Sequence, residues 1–264
     1  MASTEEGRAL SDEHRRAQAR LGGSFRAVAP ELDSLIDLGD LDGSFPDWYA
    51  GYSGLRVAGQ QTSTAMATAY LGEFARVEGA GELVAGRLPQ NELTAITNAH
   101  ISVVRAVKAR IAGGMAPEEA WRIQSAIAYG RLTQSVLDAG RAVITRADFR
   151  YSGRPGRWRR ISDGQPCAFC AMLVGRGPVY SEQTADFKSH DHCGCGAEPV
   201  VGAWEPTELE ALWRSSYLQA AKDSANENGP KWTRTAVGKG NILEKMRRNT
   251  PTLFHDGVFP KGTK

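Results

Sequence analysis

The chain has 264 residues, 41% of them apolar, and a formal net charge of +2 at neutral pH. That length holds one large domain or two modest ones, and no apolar run nears the roughly 18 residues a membrane helix needs, so a soluble protein with no membrane partner is expected. A balance so close to neutral excludes the whole chain as a polyanion binder and confines any nucleic-acid contact to a local patch.

Residues 1–45 read as an N-terminal helical arm. Leu10, Ala17 and Leu21 fall at helical spacing in the charged stretch from Glu5 to Arg20, and Gly22-Gly23 is expected to stop or bend that helix. A short second helix is predicted from Pro30 through Leu32, Leu35 and Ile36, with Pro30 near its first turn. The arm is expected to be amphipathic and loosely packed, because terminal segments order only when something ties them down.

Residues 46–149 read as a helical body. Asp47 stands where an N-cap belongs, ahead of Tyr49, Tyr52, Leu55, Ala58, Ala65, Ala69 and Leu71. Gly79 to Gly86 breaks the pattern. Pro89 then sits in the first turn of a helix whose stripe, Leu93, Ile96, His100, Val103, Val104, Val107 and Ile111, ends at Gly113-Gly114. His100 has no acidic or cysteine neighbour in sequence, so it is read as a core histidine. The longest segment opens on Pro117-Glu118-Glu119, a proline and two acids where the helix dipole favours them. Trp121, Ile123, Ile127, Leu132, Val136, Ala139, Val143 and Ile144 mark its buried face, and an antiparallel bundle of the three segments is the simplest architecture.

Residues 150–201 differ in kind. Arg150, Arg154, Arg157, Arg159 and Arg160 occur with no acid among them and with Tyr151 and Trp158 interleaved. Guanidiniums beside aromatics suit a nucleic-acid backbone or an acidic partner surface. The plainer alternative is a strand at Trp158–Ile161 with alternate residues exposed and its arginines solvated.

All four cysteines follow, Cys167-x-x-Cys170 and Cys193-x-Cys195, with His190 and His192 beside the second pair. Three readings stay open: a structural zinc clip, two disulfides, or free thiols including a redox pair. The zinc clip would draw four donors from Cys167, Cys170, His190, Cys193 and Cys195, with His192 as an alternate. Disulfides need an oxidising compartment, and the polar start Met1-Ala-Ser-Thr-Glu-Glu carries no apolar signal region. Pro166-Cys167-Ala168-Phe169-Cys170 also reproduces half of a zinc-deaminase signature, but neither His14 nor His100 supplies the required His-x-Glu. Glu182, Asp186, Asp191 and Glu198 are close in sequence without forming an H-E-x-x-H arrangement, so the site is read as closed, with no catalytic residue assigned. His190-Asp191-His192 leaves a nuclease-type knuckle open in outline. Within the module, Ala168–Val174 is expected to form a helical turn and Pro178–Tyr180 a brief strand. Its own residues are too polar to bury much core, so a bound ion would supply the missing cross-link.

Residues 202–229 are predicted as a C-terminal helix with Leu209, Leu212, Trp213, Tyr217 and Ala220 on one face. Residues 230–264 read as an extended tail with anchors at Trp232, Leu243, Met246, Phe254 and Phe259, a short helix over Ile242–Arg248, and order gained by lying on a partner. The expected fold is therefore α+β and mainly α: a helical bundle, then a small zinc-stapled α+β module, then a C-terminal helix with an extended tail.

Trp158-Arg-Arg-Ile-Ser-Asp163, Cys167-x-x-Cys170, Met172-Leu173-x-Gly175, Val179-Tyr180 and His190-x-x-Cys193-x-Cys195 together resemble the signature block of the phage Mu F-like head morphogenesis (minor capsid) proteins. The resemblance covers roughly residues 155–201. Gly175-Arg-Gly177-Pro lengthens the hairpin connection relative to that family, and Asp191-His192 replaces its usual proline and polar residue. The resemblance implies a minor component of a tailed-phage head, assembled in the bacterial host cytoplasm and placed in the head interior. It implies docking to portal or major capsid protein and contact with packaged DNA. The competing readings are a capsid maturation protease, for which no Ser–His arrangement is recognisable, and a zinc-containing nucleic-acid-binding protein.

Overall fold

The computed structural model describes residues 2–86, 92–149, 157–162, 164–181, 187, 194–228 and 242–257. In chain order the elements are α1 (Glu5–Val28), a 3-10 segment (Ala29–Leu35), α2 (Leu41–Glu78), β1 (Leu83–Val84), α3 (Glu92–Ala112), α4 (Pro117–Thr145) and β2 (Asp148–Phe149). They continue with β3 (Arg157–Ile161), α5 (Ala168–Gly175), β4 (Tyr180–Ser181), β5 (Gly196–Pro199), α6 (Glu208–Asn228), α7 (Ile242–Asn249) and a 3-10 turn (Pro251–Leu253). The protein is α+β and mainly α, as the periodicities predict. No helix among the described residues is long and apolar enough to cross a membrane.

Helix α1 begins where Thr4 Oγ1 accepts the Gly7 N–H at 2.9 Å, with Glu5 and Glu6 in its first turn. It runs through Gly22-Gly23 to Val28, correcting the expected stop. The reason is packing: a Cβ on Gly22 would lie 3.1 Å from the Thr133 side chain and 3.4 Å from Leu137, so glycine here admits α4 at close range. Helix α2 starts earlier than the Asp47 reading. Asp40 is the N-cap, accepting from Gly43 N at 2.9 Å, and Pro46 falls inside the helix. Its end is as the sequence marks it: Gly79 adopts φ 60°, and its N–H returns to the Ala75 carbonyl. Gly114, at φ 91°, closes α3 in the same way, and Pro117 opens α4 with Glu118 and Glu119.

Contacts between helices give the bundle its directions. Tyr52 donates to the Ala128 carbonyl at 3.1 Å, Gln60 to Ser135 at 2.8 Å, and the Gly140 N–H to Ser63 Oγ at 3.1 Å, so α2 and α4 run parallel. Ser11 meets Tyr70 at 2.8 Å and Ser63 donates to Gln18 at 2.8 Å, so α1 runs antiparallel to α2. The bundle thus has four helices. The first segment is not a loose arm; it packs along both α2 and α4.

Two clusters form the interior. At one end Trp48 packs edge-on to Trp121 at 5.4 Å and donates to Tyr129 Oη at 3.2 Å, among Phe45, Val107, Leu132 and Val136. Asp33 accepts from both Trp121 and Tyr129 and ties the 3-10 segment onto this cluster. At the other end Tyr70, Leu71, Phe74, Val143 and Ile144 continue without a break into Trp158, Met172, Trp213, Met246 and Phe254.

That continuity changes the account of the cysteine module. Its own stretch is polar, but apolar residues from α6, α7 and the final 3-10 turn close over α5, and Trp213 donates to the Leu253 carbonyl at 3.3 Å. The predicted short helix is present as α7, and the surface it lies on is this chain's own. Small antiparallel sheets complete the fold: β1 pairs with β2, and β3 is the centre strand between β4 and β5. Strand β3 departs from the expected alternation. Arg157 is exposed and the next four residues are buried, because both faces of the centre strand are covered. Pro89, the His100 side chain, Trp232 and Phe259 lie outside the described residues.

Candidate metal centre

Cys167 is the N-cap of α5: its Sγ accepts the Cys170 N–H at 3.4 Å and its carbonyl accepts the Ala171 N–H at 2.9 Å. The C-x-x-C spacing therefore spans the first helical turn, which sets both sulfurs on one side of it. A second amide of that turn, on Ala168, donates to Asp256 Oδ1 at 2.9 Å, and Asp256 Oδ2 accepts from Arg247 at 2.7 Å. A carboxylate from residue 256 thus adds to the capping of the cysteine helix. Cys195 arrives from another direction, at the start of β5, whose register with β3 pairs Ile161 with Gly196.

Cys167, Cys170 and Cys195 form one buried cluster with Phe169 and Phe187 packed against it, and no disulfide joins these three. The donor chemistry fits a soft divalent ion such as zinc: adjacent sulfurs from a helical turn and a strand end, one of them already accepting a backbone N–H. Among the described residues no three His, Cys, Asp or Glu side chains converge as a ready-made ion site. His190, His192 and Cys193, from which the set would be completed, lie outside the described residues, as do Glu182, Asp186 and Asp191.

Two guanidiniums border the cluster. Arg160, 1% exposed, reaches Cys170 Sγ with Nη1 at 3.7 Å and lies over the Phe187 ring at 3.7 Å from its centroid. Arg141, from the last turns of α4, donates to the Cys195 carbonyl from Nη2 at 2.7 Å and Nε at 3.1 Å. It also pairs with Asp138 at 2.7 Å and sits 4.8 Å above the same phenyl ring. Trp158 stacks on Phe187 at 5.6 Å and on Tyr180 at 4.7 Å.

The five arginines do not share one environment. Arg157 is on the surface, Arg150 and Arg154 lie outside the described residues, and Arg160 faces the cysteines. Arg159 is buried between two carboxylates, Nε 2.7 Å from Glu198 and Nη1 2.5 Å from Glu210. Burial pulls its guanidinium toward the neutral form, but Glu198 and Glu210 outweigh that and hold its pKa above the ordinary value. Among the described three, an external acidic or nucleic-acid surface is open to Arg157.

Sequence reading missed Arg141, Phe187 and Glu210, and weighed His14 only as the histidine of a deaminase signature. Arg141 carried a signal, being a charge on the buried stripe of α4 between Leu137 and Ile144. His14 stacks on Tyr70 with centroids 4.4 Å apart, and burial lowers its pKa to about 4. With Arg15, Gln18, Leu137, Arg141 and Cys195 it lines a cavity of about 20 Å³ at the seam between bundle and module, room for about one water molecule.

The chain matches the family model of the VG15 protein over residues 58–220, from the middle of α2 to α6. No curated protein and no solved structure matches it.

Proposed function

Because this chain belongs to the VG15 family of phage proteins, we propose that it is a minor capsid, or head morphogenesis, protein of a tailed phage. It is a structural assembly component of the head interior, acting near portal and major capsid protein, and it carries a structural zinc. Four of Cys167, Cys170, His190, Cys193 and Cys195 hold the ion, with His192 as the alternate donor, and the ion supplies a cross-link between the α5 turn and the start of β5.

The observation that carries this reading is the sealing of the cysteine cluster against a large helical body. A catalytic zinc keeps a position open to substrate beside an acid or base. Here Cys167, Cys170 and Cys195 are buried with Phe169 and Phe187 packed against them, and the C-terminal strap, residues 250–257, caps their helix through Asp256, which suits a staple. The family match runs from within α2 through α3, α4 and the cysteine module into α6, and the Mu F-like order of strand, C-x-x-C, hairpin and H-x-x-C-x-C supports a place in the phage head. The bundle is the docking element for portal or capsid protein. Arg157, with Arg150 and Arg154, is the segment offered to packaged DNA.

Quantitative mass spectrometry of assembled particles tests the proposal by counting this chain against the major shell protein. Presence, intact and at a low ratio, is expected. Absence from particles that contain processed shell protein would overturn it in favour of a transient enzyme or scaffold.

A further inference from the structure

Arg160 and Arg141 come from different parts of the chain, β3 and α4, yet both close on the cysteine cluster and on one ring, Phe187. We infer that Arg160 is a positioning residue of the metal centre, its Nη1 N–H directed at the Cys170 sulfur, and that Arg141 is its counterpart on the bundle, fixing the Cys195 carbonyl. The inference rests on the zinc reading above and adds the residues that hold its donors in place.

The chemistry favours guanidinium in both positions. A metal-bound cysteine sulfur carries negative charge, and several sulfurs on one ion repel each other, so an N–H aimed at one of them relieves that repulsion. A buried guanidinium needs acceptors of that kind. Arginine also does what lysine cannot: its guanidinium carbon sits over Phe187, 3.7 Å from the ring centroid, while an N–H of the same group reaches the sulfur. Arg141 divides its donors differently, two to the Cys195 carbonyl and one to Asp138, which joins the strand end bearing Cys195 to α4. The donors are thus preset by the bundle as well as by the module, consistent with a family match that covers both.

The test uses the full chain, with zinc and cobalt(II) as probes and a chromophoric chelator as competitor. Arg160→Gln is expected to weaken zinc binding about 10- to 100-fold, the usual range for loss of an outer-shell partner. It is also expected to move the sulfur-to-cobalt charge-transfer band to lower energy, because the sulfur loses a hydrogen-bond donor. Arg160→Lys should recover part of the affinity, and Arg141→Gln should weaken binding with a smaller band shift, since it touches the carbonyl and not the sulfur. Unchanged affinity and an unchanged band in Arg160→Gln, with wild type binding one zinc, would overturn this inference while leaving the zinc centre standing. No zinc on the wild type would remove both. If Arg160→Gln does not fold, Arg160→Lys decides: wild-type affinity and band overturn the inference, weaker binding with a shifted band supports it.

Discussion

Arg159 and Glu198 face each other as a register pair of β3 and β5, Nε to Oε1 at 2.7 Å, with side chains 6% and 1% exposed. Glu210 from α6 takes the other edge of the guanidinium at 2.5 Å, and the Ala2 N–H donates to Glu198 at 3.2 Å. The sheet, α6 and the start of the chain therefore meet on one cation. Removing it would leave two carboxylates buried together, so Arg159→Met is expected to cost about 3–5 kcal/mol in urea unfolding. A loss below about 1 kcal/mol would show that water reaches the pair.

His14 makes stability depend on pH in a defined direction. Its folded pKa of about 4 lies below the ordinary 6.5, so between those values the unfolded chain binds a proton that the folded chain does not. Stability should rise with pH through that window and level off above it, with His14 contributing on the order of 3 kcal/mol across it. His14→Phe keeps a ring on Tyr70 and should flatten the difference between pH 5 and pH 7. An unchanged slope in that variant would assign the dependence to other groups.

Glycines in the bundle should separate into two kinds. A Cβ on Gly140 would lie 2.6 Å from Ser63 Oγ and 3.0 Å from the Ser63 carbonyl, and one on Gly59 would lie 2.4 Å from Val136. Gly54 and Gly72, also in α2, would place a Cβ in open space. Gly140→Ala is expected to lower stability by about 1–3 kcal/mol through overpacking. Gly72→Ala should raise it by roughly 0.5–1 kcal/mol through helix propensity. Equal effects at the two sites, read from thermal melts, would contradict the close approach of α2 and α4.

Much of this fold was legible. The stripe of α4, the glycine at the breaks, the proline and acids that open α4, and the short helix at Ile242 are local signals, and the structure follows them; in α2 the buried face runs through Gly59, Ser63, Ala67 and Tyr70, while Ala58, Ala65 and Ala69 of the expected set are exposed. What failed was information that lives in other segments. Gly22-Gly23 reads as a stop unless Thr133 and Leu137 are known to press against it, and Asp47 reads as a cap unless Asp40 is seen to cap first. Trp158–Ile161 reads as half exposed because nothing in the strand announces that helices cover both faces. At the site, the cysteines announced themselves by spacing. That Arg141 and Phe187 meet them was not legible, since the charge on the buried stripe of α4 marks Arg141 as unusual without saying what it faces.

Asp256 gives the C-terminal strap a measurable role. Asp256→Ala removes the acceptor for the Ala168 N–H and the partner of Arg247, and a lost cap of this kind costs about 0.5–2 kcal/mol. Hydrogen exchange should accelerate at the Ala168, Phe169 and Cys170 amides and leave α2 and α4 unaffected. Protection unchanged at α5 would mean that the strap merely rests there.

Whether the cysteine cluster holds a structural zinc is read by native mass spectrometry of the full chain, purified without chelator. One zinc per chain is predicted, lost in Cys170→Ser, with chelation of the wild type lowering its melting temperature. A folded chain that carries no zinc, and whose melting temperature ignores chelator, would rule out the zinc centre.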